Sequence, residues 1–319
     1  MTAWRERWDA HWFARGSAVD LAVFRVVLIG WHLAALGSRS YFERLDALAA
    51  KADEAFQAPF LLQLCTLGSR PSPDAMALVH AVALVAAAVA LIGWRTRASV
   101  AVLAAATLAL RAYEAGFPPV QHHAALPALA LALLALSPCG DALAIDALRR
   151  AGRPRGPAWR WAWPLRLVAW LLALAYASSV TSKLVTSGLE WANGATLQFY
   201  AYYRGMPRNR PLGVWLSGEP ALAAVLSWGA LAFESTFLLA VLRPRLRWIY
   251  VPLGIAFHVL GDLFFGADFS GFVALYAALV PWERAFVRTC GRWRGAGRGL
   301  DRAVAAQRHP VRLHRLAEP

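Results

Sequence analysis

Lys183 is the residue in this sequence whose type and setting most clearly point to chemistry. The chain contains thirty-one arginines but only two lysines, Lys51 and Lys183. Arginine keeps its proton under ordinary conditions, whereas a lysine in apolar surroundings can release its proton and act as a base. Lys183, in the segment YASSVTSKLVTSGLEW, therefore indicates a position where deprotonation matters. The alternative is a lysine that anchors a helix end at the membrane surface.

Four other ionisable residues lie inside long apolar segments, where polar groups are costly and often functional. Arg25 and Glu234 both fall in the inner half of the membrane if depth is counted along the helices. We expect them to form a salt bridge that holds two helices together. His258 and Asp262 share a helix face at a spacing of four residues, which suits either a structural pair or a site.

His122 and His123 stand at the start of another apolar segment. Neighbours on a helix point about 100° apart, and no third residue is spaced to complete a metal site. The three cysteines, Cys65, Cys139 and Cys290, are far apart and odd in number. We therefore expect neither a metal ion nor a disulfide framework.

The composition predicts the elements that position these residues. Hydrophobic residues make up 59% of the chain and charged residues only 16%, with a mean hydropathy of +0.43, whereas soluble domains carry about 25% charged residues. Several apolar stretches approach the ~20 residues that cross a bilayer. The sequence predicts an all-α polytopic transmembrane helix bundle of about eight spans. The predicted spans are 20–37, 75–93, 98–113, 123–138, 163–184, 220–242, 247–266 and 268–281.

The basic residues predict the orientation of this bundle. With the N-terminus inside, Arg and Lys fall mainly in the cytoplasmic connections, as the positive-inside rule requires. Both termini are then cytoplasmic, with a lead at 1–19, a membrane domain at 20–283 and an Arg-rich tail at 284–319. The net charge of +14 thus indicates contact with anionic membrane lipid rather than with nucleic acid. High Ala and Arg usage favours a bacterial inner (plasma) membrane.

This orientation places Lys183, the His122–His123 pair and Asp262 near the outer face. The outer connection 185–219 interleaves aromatic and basic residues. Such a segment is typical of an aromatic belt at the membrane interface, or it forms a lid over a site that opens outward.

Five segments in chain order then resemble a known family. The chain is similar, over residues 17–290, to the membrane domain of vitamin K-dependent gamma-carboxylases and to their bacterial relatives, the HTTM domain proteins. The matching pieces are DLAVFRVVLIG, QHHAALPALALALLALSPCGDALAIDALRR, WPLRLVAWLLALAYASSVTSKL, EWANGATLQFY and FHVLGDLFFGADFSGFVALYAALVPWE.

The resemblance implies a mechanism. Lys183, held neutral, would remove a proton from a reduced vitamin K-like quinone in the membrane, and His122 would support that base. His123, Trp191, His258 and Asp262 are expected to complete the quinone pocket. The outcome in the family is carboxylation of a glutamyl side chain, so a secreted or membrane peptide is the expected substrate.

Two departures leave alternatives open. Ser182 stands where the carboxylases carry a second basic residue before the lysine, and an Arg-rich tail follows the membrane domain in place of a β-rich lumenal portion. A partner protein or different chemistry on a quinone or lipid would then be needed. An HTTM protein that assists maturation or export of a secreted peptide is the second interpretation. A transporter is disfavoured, because the spans lack inverted halves and broken helix pairs.

Overall fold

A computed structural model of the protein describes residues 2–59, 69–118, 124–150 and 158–292, and all regular structure within these ranges is helical. The chain divides into two compact units, residues 1–280 and 281–319. The described helices are α1 (Thr2–Trp12), α2 (Ala18–Leu36), α3 (Arg39–Ala49), α4 (Pro73–Ile92), α5 (Thr96–Ala115), α6 (Ala125–Leu136), α7 (Ile145–Arg149), α8 (Trp163–Ser187), α9 (Ala195–Gly205), α10 (Pro211–Ser217), α11 (Pro220–Thr236), α12 (Leu238–Leu242), α13 (Arg247–Phe265), α14 (Ser270–Leu275) and α15 (Trp282–Arg292). Short 3₁₀ helices cover Asp53–Ala55, Ala158–Trp161, Gly188–Asn193, Pro244–Leu246 and Tyr276–Leu279.

The predicted membrane helix bundle is confirmed. Six helical segments in the described ranges are long and apolar enough to cross a membrane. They are Ala18–Leu36, Pro73–Ile92, Thr96–Ala115, Trp163–Asn193, Pro220–Leu242 and Pro244–Phe265. Two shorter apolar segments, Ala125–Leu136 and Ser270–Leu279, correspond to the fourth and eighth predicted spans. The number of segments that cross the membrane and the side on which the termini lie stay predictions.

Local sequence signals set the ends of several helices. The hydroxyl groups of Ser17, Ser38 and Ser72 accept backbone N–H groups at the first turns of α2, α3 and α4. Such N-caps satisfy donors that have no partner within the helix. At the other end of α4, Gly93 adopts a left-handed conformation with φ of 74° and closes the helix.

The first unit is organised around α2, which contacts α4, α6, α8 and α14. Leu21, Phe24, Leu28 and Ile29 of α2 are fully buried. The buried face of α4 consists largely of alanines, which allow helix backbones to approach closely. In a bilayer, where lipid tails are as apolar as leucine, this close packing is a main source of helix association.

Arg25 anchors α2 to the turn that follows α6. Its side chain is completely buried, and Nη1 donates to the Cys139 carbonyl at 3.0 Å while Nη2 donates to the Leu143 carbonyl at 2.5 Å. The predicted ion pair between Arg25 and Glu234 is therefore wrong. Backbone carbonyl groups in a turn are strong acceptors that need a donor when they are removed from water, so they accommodate the guanidinium without a carboxylate.

The same region is held by Asp146, which caps α5 from another part of the chain. Its carboxylate accepts the backbone N–H of Arg95 at 3.0 Å and both the N–H, at 2.6 Å, and the hydroxyl, at 2.8 Å, of Thr96. Partial burial alone would raise the pKa of Asp146. The hydrogen bonds from Thr96 and Arg95 outweigh that effect and hold the pKa below its ordinary value.

We predict that this cap makes stability depend on pH. A carboxyl group whose pKa is lower in the folded state than in the unfolded state stabilises the fold above its unfolded pKa of about 3.9. That contribution is lost as the pH falls through the lower folded value. Asp146→Asn keeps an acceptor oxygen but cannot ionise, so the stability difference between wild type and variant should shrink between about pH 5 and pH 3. Thermal unfolding in detergent at several pH values measures it, and a constant difference would contradict the assignment.

The segment 185–219, predicted as an outer connection, is largely helical. The 3₁₀ helix Gly188–Asn193 and helices α9 and α10 pack against α11. Gly194 makes this approach possible: its φ is +92°, and a Cβ atom there would lie 2.6 Å from the backbone nitrogen of Ala224. The segment therefore forms a wall of the bundle.

The second unit contains helix α15, which begins at Trp282. The rings of Trp282 and Phe286, one helical turn apart, lie 6.3 Å from each other. Most of the predicted Arg-rich tail, residues 293–319, lies outside the described residues.

Candidate functional site

An apolar cavity of about 320 Å³ lies between α8, α11 and α13, closed in part by the 3₁₀ helix Gly188–Asn193 and by α9 and α14. Its walls are mostly aliphatic and aromatic, and a few polar side chains converge on it, the pattern expected of a small-molecule site. The polar lining residues are Tyr176, Ser179, Lys183, Ser227, Glu234 and His258. The aromatic lining residues without a polar group are Phe257, Phe264, Phe265, Phe269 and Phe272.

Lys183 and Glu234 form an ion pair in this cavity. The ammonium group of Lys183 donates to Oε2 of Glu234 and to the hydroxyl of Ser179 at 3.1 Å. The Ser179 hydroxyl donates to the other carboxylate oxygen at 3.2 Å, and the Trp191 ring lies 4.8 Å from Nζ. The Glu234 side chain is 3% exposed and that of Lys183 20%. The pair has no net charge, which makes its burial among apolar residues tolerable.

The helix spacing of α8 explains the arrangement. Tyr176, Ser179 and Lys183 are three and four residues apart, so they occupy one face of the helix. Just beside this face, Val180 of α8 packs with Leu231 of α11, which brings the two helices into register.

The prediction that Lys183 and Glu234 lie at different depths in the membrane is wrong, because the two side chains form an ion pair. Counting residues from the helix ends placed Lys183 near the outer face and Glu234 in the inner half. The count fails because the chain after α8 does not leave the bundle. Instead, Trp191 and Ala192 fold back and pack beside Val180 and Leu231. Gly194 then contacts Ala223 and Ala224, which lie closer to the start of α11 than Leu231 does.

A second polar group in the cavity centres on His258. Its Nε2 atom lies 2.7 Å from the Tyr176 hydroxyl, which is in turn hydrogen-bonded to the Tyr276 hydroxyl. Gly254, one turn before His258 on α13, gives Tyr276 room, since a Cβ atom there would lie 2.2 Å from the tyrosine oxygen. The imidazole is 4% exposed and packs against Phe269 and Phe272. The position of the His258 ring and the hydrogen bond of its Nε2 atom are thus both fixed.

Two buried polar atoms of the cavity lining have no hydrogen-bond partner among the described residues. They are Nδ1 of His258 and Oγ of Ser227. Buried polar groups in proteins are nearly always paired, so these two atoms are exceptions within the described part of the chain. Ser227 lies seven residues before Glu234 on α11, which is about 10 Å along the helix axis.

The structure brings together three of the predicted site residues, Lys183, Trp191 and His258. Asp262, predicted for the same pocket, is absent from the lining and forms an ion pair with Arg210 at 2.8 Å. The possible His258–Asp262 pair is accordingly not formed: the side chain of Asp262 is 45% exposed and pairs with a cation outside the cavity. His122 and His123 lie outside the described residues.

Sequence reasoning missed several residues of the site. Glu234 was identified but given the wrong partner, while Tyr176, Ser179, Ser227 and Tyr276 were not singled out. The shared face of Tyr176, Ser179 and Lys183 was a usable signal for the first two. The sequence carries no comparable signal for Ser227 or Tyr276, because a serine or tyrosine in an apolar helix is commonplace.

Chemically, the arrangement can bind a small, largely apolar molecule and exchange a proton with it. The ammonium group and the carboxylate supply a proton donor and a proton acceptor, respectively, and the surrounding walls are apolar. Within the described ranges, no three of the His, Cys, Asp and Glu side chains are grouped so that they could hold a metal ion.

Comparisons with known proteins give one match. The family model of the HTTM domain matches residues 14–283, a range that includes every residue of the cavity lining. No curated protein and no solved structure matches the chain.

Proposed function

The chain belongs to the HTTM domain family, and from this premise we propose that it is a membrane enzyme whose Lys183–Glu234 pair removes a proton from a membrane-dissolved ligand, a reduced vitamin K-like quinone. The observation that carries the proposal is the position of this buried ion pair in an apolar cavity of about 320 Å³. Ion pairs that only hold helices together have no need of such a space beside them.

The residues of the cavity fit a reduced quinone. The volume lies within the range of about 300–1,000 Å³ that is typical of small-molecule sites, and phenylalanine rings suit a flat apolar ring system. When bound, a reduced quinone would supply a hydroxyl proton and two reducing electrons.

The residues of the pair have distinct roles in this proposal. Glu234 takes the proton of the Lys183 ammonium, which leaves a neutral amine that can accept a proton from the ligand. The transfer between the two partners leaves no isolated charge, and once the amine has accepted the ligand's proton, the ammonium group of Lys183 is paired with the deprotonated ligand in place of the Glu234 carboxylate. Ser179, which contacts both groups, keeps them aligned, and the Trp191 ring stabilises the ammonium form through a cation–π contact.

Further parts of the proposal rest on the family resemblance and on composition. A secreted or membrane peptide with a glutamyl side chain is the proposed second substrate, and a bacterial plasma membrane is the proposed location. The Ala- and Arg-rich composition supports the bacterial source.

We predict that Lys183→Arg removes activity while the protein stays folded. Arginine keeps the ion pair with Glu234 but cannot supply a neutral amine, so the rate of quinol oxidation should fall by about 10²-fold or more, the usual contribution of a general base. The assay follows the oxidation of a reduced naphthoquinone by dissolved O2 in the presence of the purified protein in lipid nanodiscs. Lys183→Ala should lose activity to a similar extent.

The other lysine of the chain provides the matched control. Lys51 lies outside the membrane spans, with its Nζ atom 5.2 Å from the Phe117 ring, and Lys51→Arg should leave the rate unchanged. Full activity in Lys183→Arg would exclude a role as base. A wild-type protein without quinol oxidation would instead favour an HTTM protein that assists maturation or export of a secreted peptide.

A further inference from the structure

A cluster of basic side chains lies where the end of α1 meets the first turns of α8 and α13. It consists of His11, Arg166 and Arg247, one from each helix, and we call it the basic cluster. We propose that the basic cluster binds the phosphate group of an anionic phospholipid. None of the three residues lines the cavity, so this proposal does not depend on the proposed function. It assigns a defined site, whereas the net charge of the chain predicts only a general attraction to anionic lipid.

Contacts of α1 with α8 hold the basic cluster together. Nε1 of Trp170, one turn after Arg166 on α8, donates to Nε2 of His11 at 2.9 Å. Burial lowers the pKa of His11, and the nearby charges of Arg166 and Arg247 lower it further, so both guanidinium groups lie close to the imidazole. Because an indole N–H can only donate, Nε2 of His11 carries no proton and the imidazole is neutral. The charge of the cluster therefore comes from its two arginines.

The two guanidinium groups have no carboxylate partner within the described part of the chain. Nε of Arg247 donates to the Ala240 carbonyl at 3.1 Å, and Nη1 of Arg166 is buried without a hydrogen-bond partner there. The other side-chain nitrogens of both arginines form no hydrogen bond with described residues and, unlike Nη1 of Arg166, are not closed off inside the bundle. Both residues are partly exposed. These accessible nitrogens are where an anion would bind.

The uncompensated charge makes an external anion favourable. Arg166 and Arg247 repel each other, and each lies in the first turn of its helix, where the positive end of the helix dipole adds to the repulsion. The C-terminal segment is a poor source of negative charge, since residues 293–319 contain six arginines and two acidic residues. A phosphate diester, by contrast, carries a negative charge and free oxygens, which match the planar donors of arginine.

The surroundings of the basic cluster favour a lipid over a free anion. Trp4 and Trp8 lie one turn apart on α1 with ring centroids 5.4 Å from each other, and both are exposed. Exposed indole rings on a polar helix are typical of the membrane interface. Trp248 and Ile249, directly after Arg247 in an apolar segment long enough to span a membrane, are also exposed. Acyl chains of a bound lipid can pack against them while its phosphate contacts the arginines.

The proposal is tested by native mass spectrometry of lipid binding to the full chain released from detergent. Wild-type protein should bind phosphatidylglycerol at least about tenfold more tightly than phosphatidylcholine with the same acyl chains. Arg166→Gln and Arg247→Gln should each weaken phosphatidylglycerol binding by about fivefold, the usual contribution of one basic side chain near a membrane. Arg97→Gln is the matched control: Arg97 is an exposed arginine in the first turn of α5, and its loss should leave the affinity unchanged.

A charge reversal guards against loss of the fold. Arg247→Glu places a carboxylate beside Arg166, so in lipid-free detergent it should unfold at the same temperature as wild type or a higher one, yet lose the preference for phosphatidylglycerol. Three results would overturn the proposal: equal affinity of wild type for the two lipids, an equal loss in Arg97→Gln, or a preference retained in folded Arg247→Glu. Thermal stabilisation by inorganic phosphate as large as that by phosphatidylglycerol at the same concentration would indicate a site for free anions and reject the lipid.

Discussion

Replacing Lys183 with methionine is expected to destabilise the protein by about 3–5 kcal/mol, because the carboxylate of Glu234 is then buried without its partner. Glu234→Gln should have a smaller effect, since an amide is neutral and still offers an oxygen to the ammonium. The double variant Lys183→Met/Glu234→Gln should recover most of the loss, because it buries no charge. The free energies come from equilibrium unfolding in mixed detergent, combined in a double-mutant cycle.

An exposed pair provides the control for this cycle. Arg39 and Glu43 also lie within hydrogen-bond distance, at 2.8 Å, but their side chains are 92% and 62% exposed. Their coupling should not exceed about 0.5 kcal/mol. Additive effects of the Lys183 and Glu234 substitutions would mean that the two groups do not share a proton or a charge, and the acid–base role would lose its basis.

The second large effect is expected at Arg25. Arg25→Leu leaves the buried carbonyl group of Cys139, and that of the exposed residue Leu143, without their donor, and we expect a loss of about 2–4 kcal/mol. Arg25→Lys keeps the charge but cannot reach both carbonyls with one nitrogen, because the planar fork of arginine is what spans them. It should therefore also be strongly destabilised, which the midpoint of thermal unfolding in detergent would report.

A combined variant distinguishes this anchor from the ion pair first expected. If Arg25 and Glu234 do not interact, the effects of Arg25→Leu and Glu234→Gln add within about 0.5 kcal/mol. Substitution of an exposed arginine, Arg39→Leu, should cost little. Strong coupling between Arg25 and Glu234 would restore the original interpretation.

The elements of the fold were predictable because the signals are local. Apolar runs set the spans, and residues such as Ser17, Ser72 and Gly93 mark the helix ends. The predicted spans agree with the helices to within a few residues at most ends. The segment 185–219 was less predictable, because short helices interrupted by glycine and proline have too few residues for a clear period.

The partners of the buried charges were not predictable in the same way. Arg25 binds backbone carbonyls, and a search for complementary side chains in the sequence cannot find such acceptors. Lys183 pairs with Glu234 because the chain folds back onto the bundle after α8. An estimate of depth from residue numbers along each helix takes no account of such a tertiary contact. By contrast, the hypothesis that Lys183 has a chemical role came from residue choice alone, since only one lysine occurs in an apolar segment.

The pairing of Lys183 also changes how a base would be generated. The family resemblance implies a lysine that is neutral because its surroundings are apolar. Here a carboxylate lies in direct contact with the amine, so the neutral form requires Glu234 to hold the proton. The proposed base is thus a pair of residues, and both must be present in any related chain that uses it.

The close approach of Gly254 and Tyr276 has a consequence for how this family can diverge. A Cβ atom at position 254 would overlap both the hydroxyl oxygen and the ring of Tyr276, so the sizes of these two side chains are inversely linked. A residue larger than glycine fits at position 254 only after Tyr276 has been replaced by a smaller residue. The two positions are therefore coupled in evolution. Tyr276 has to be replaced by a smaller residue before Gly254 can be replaced by a larger one.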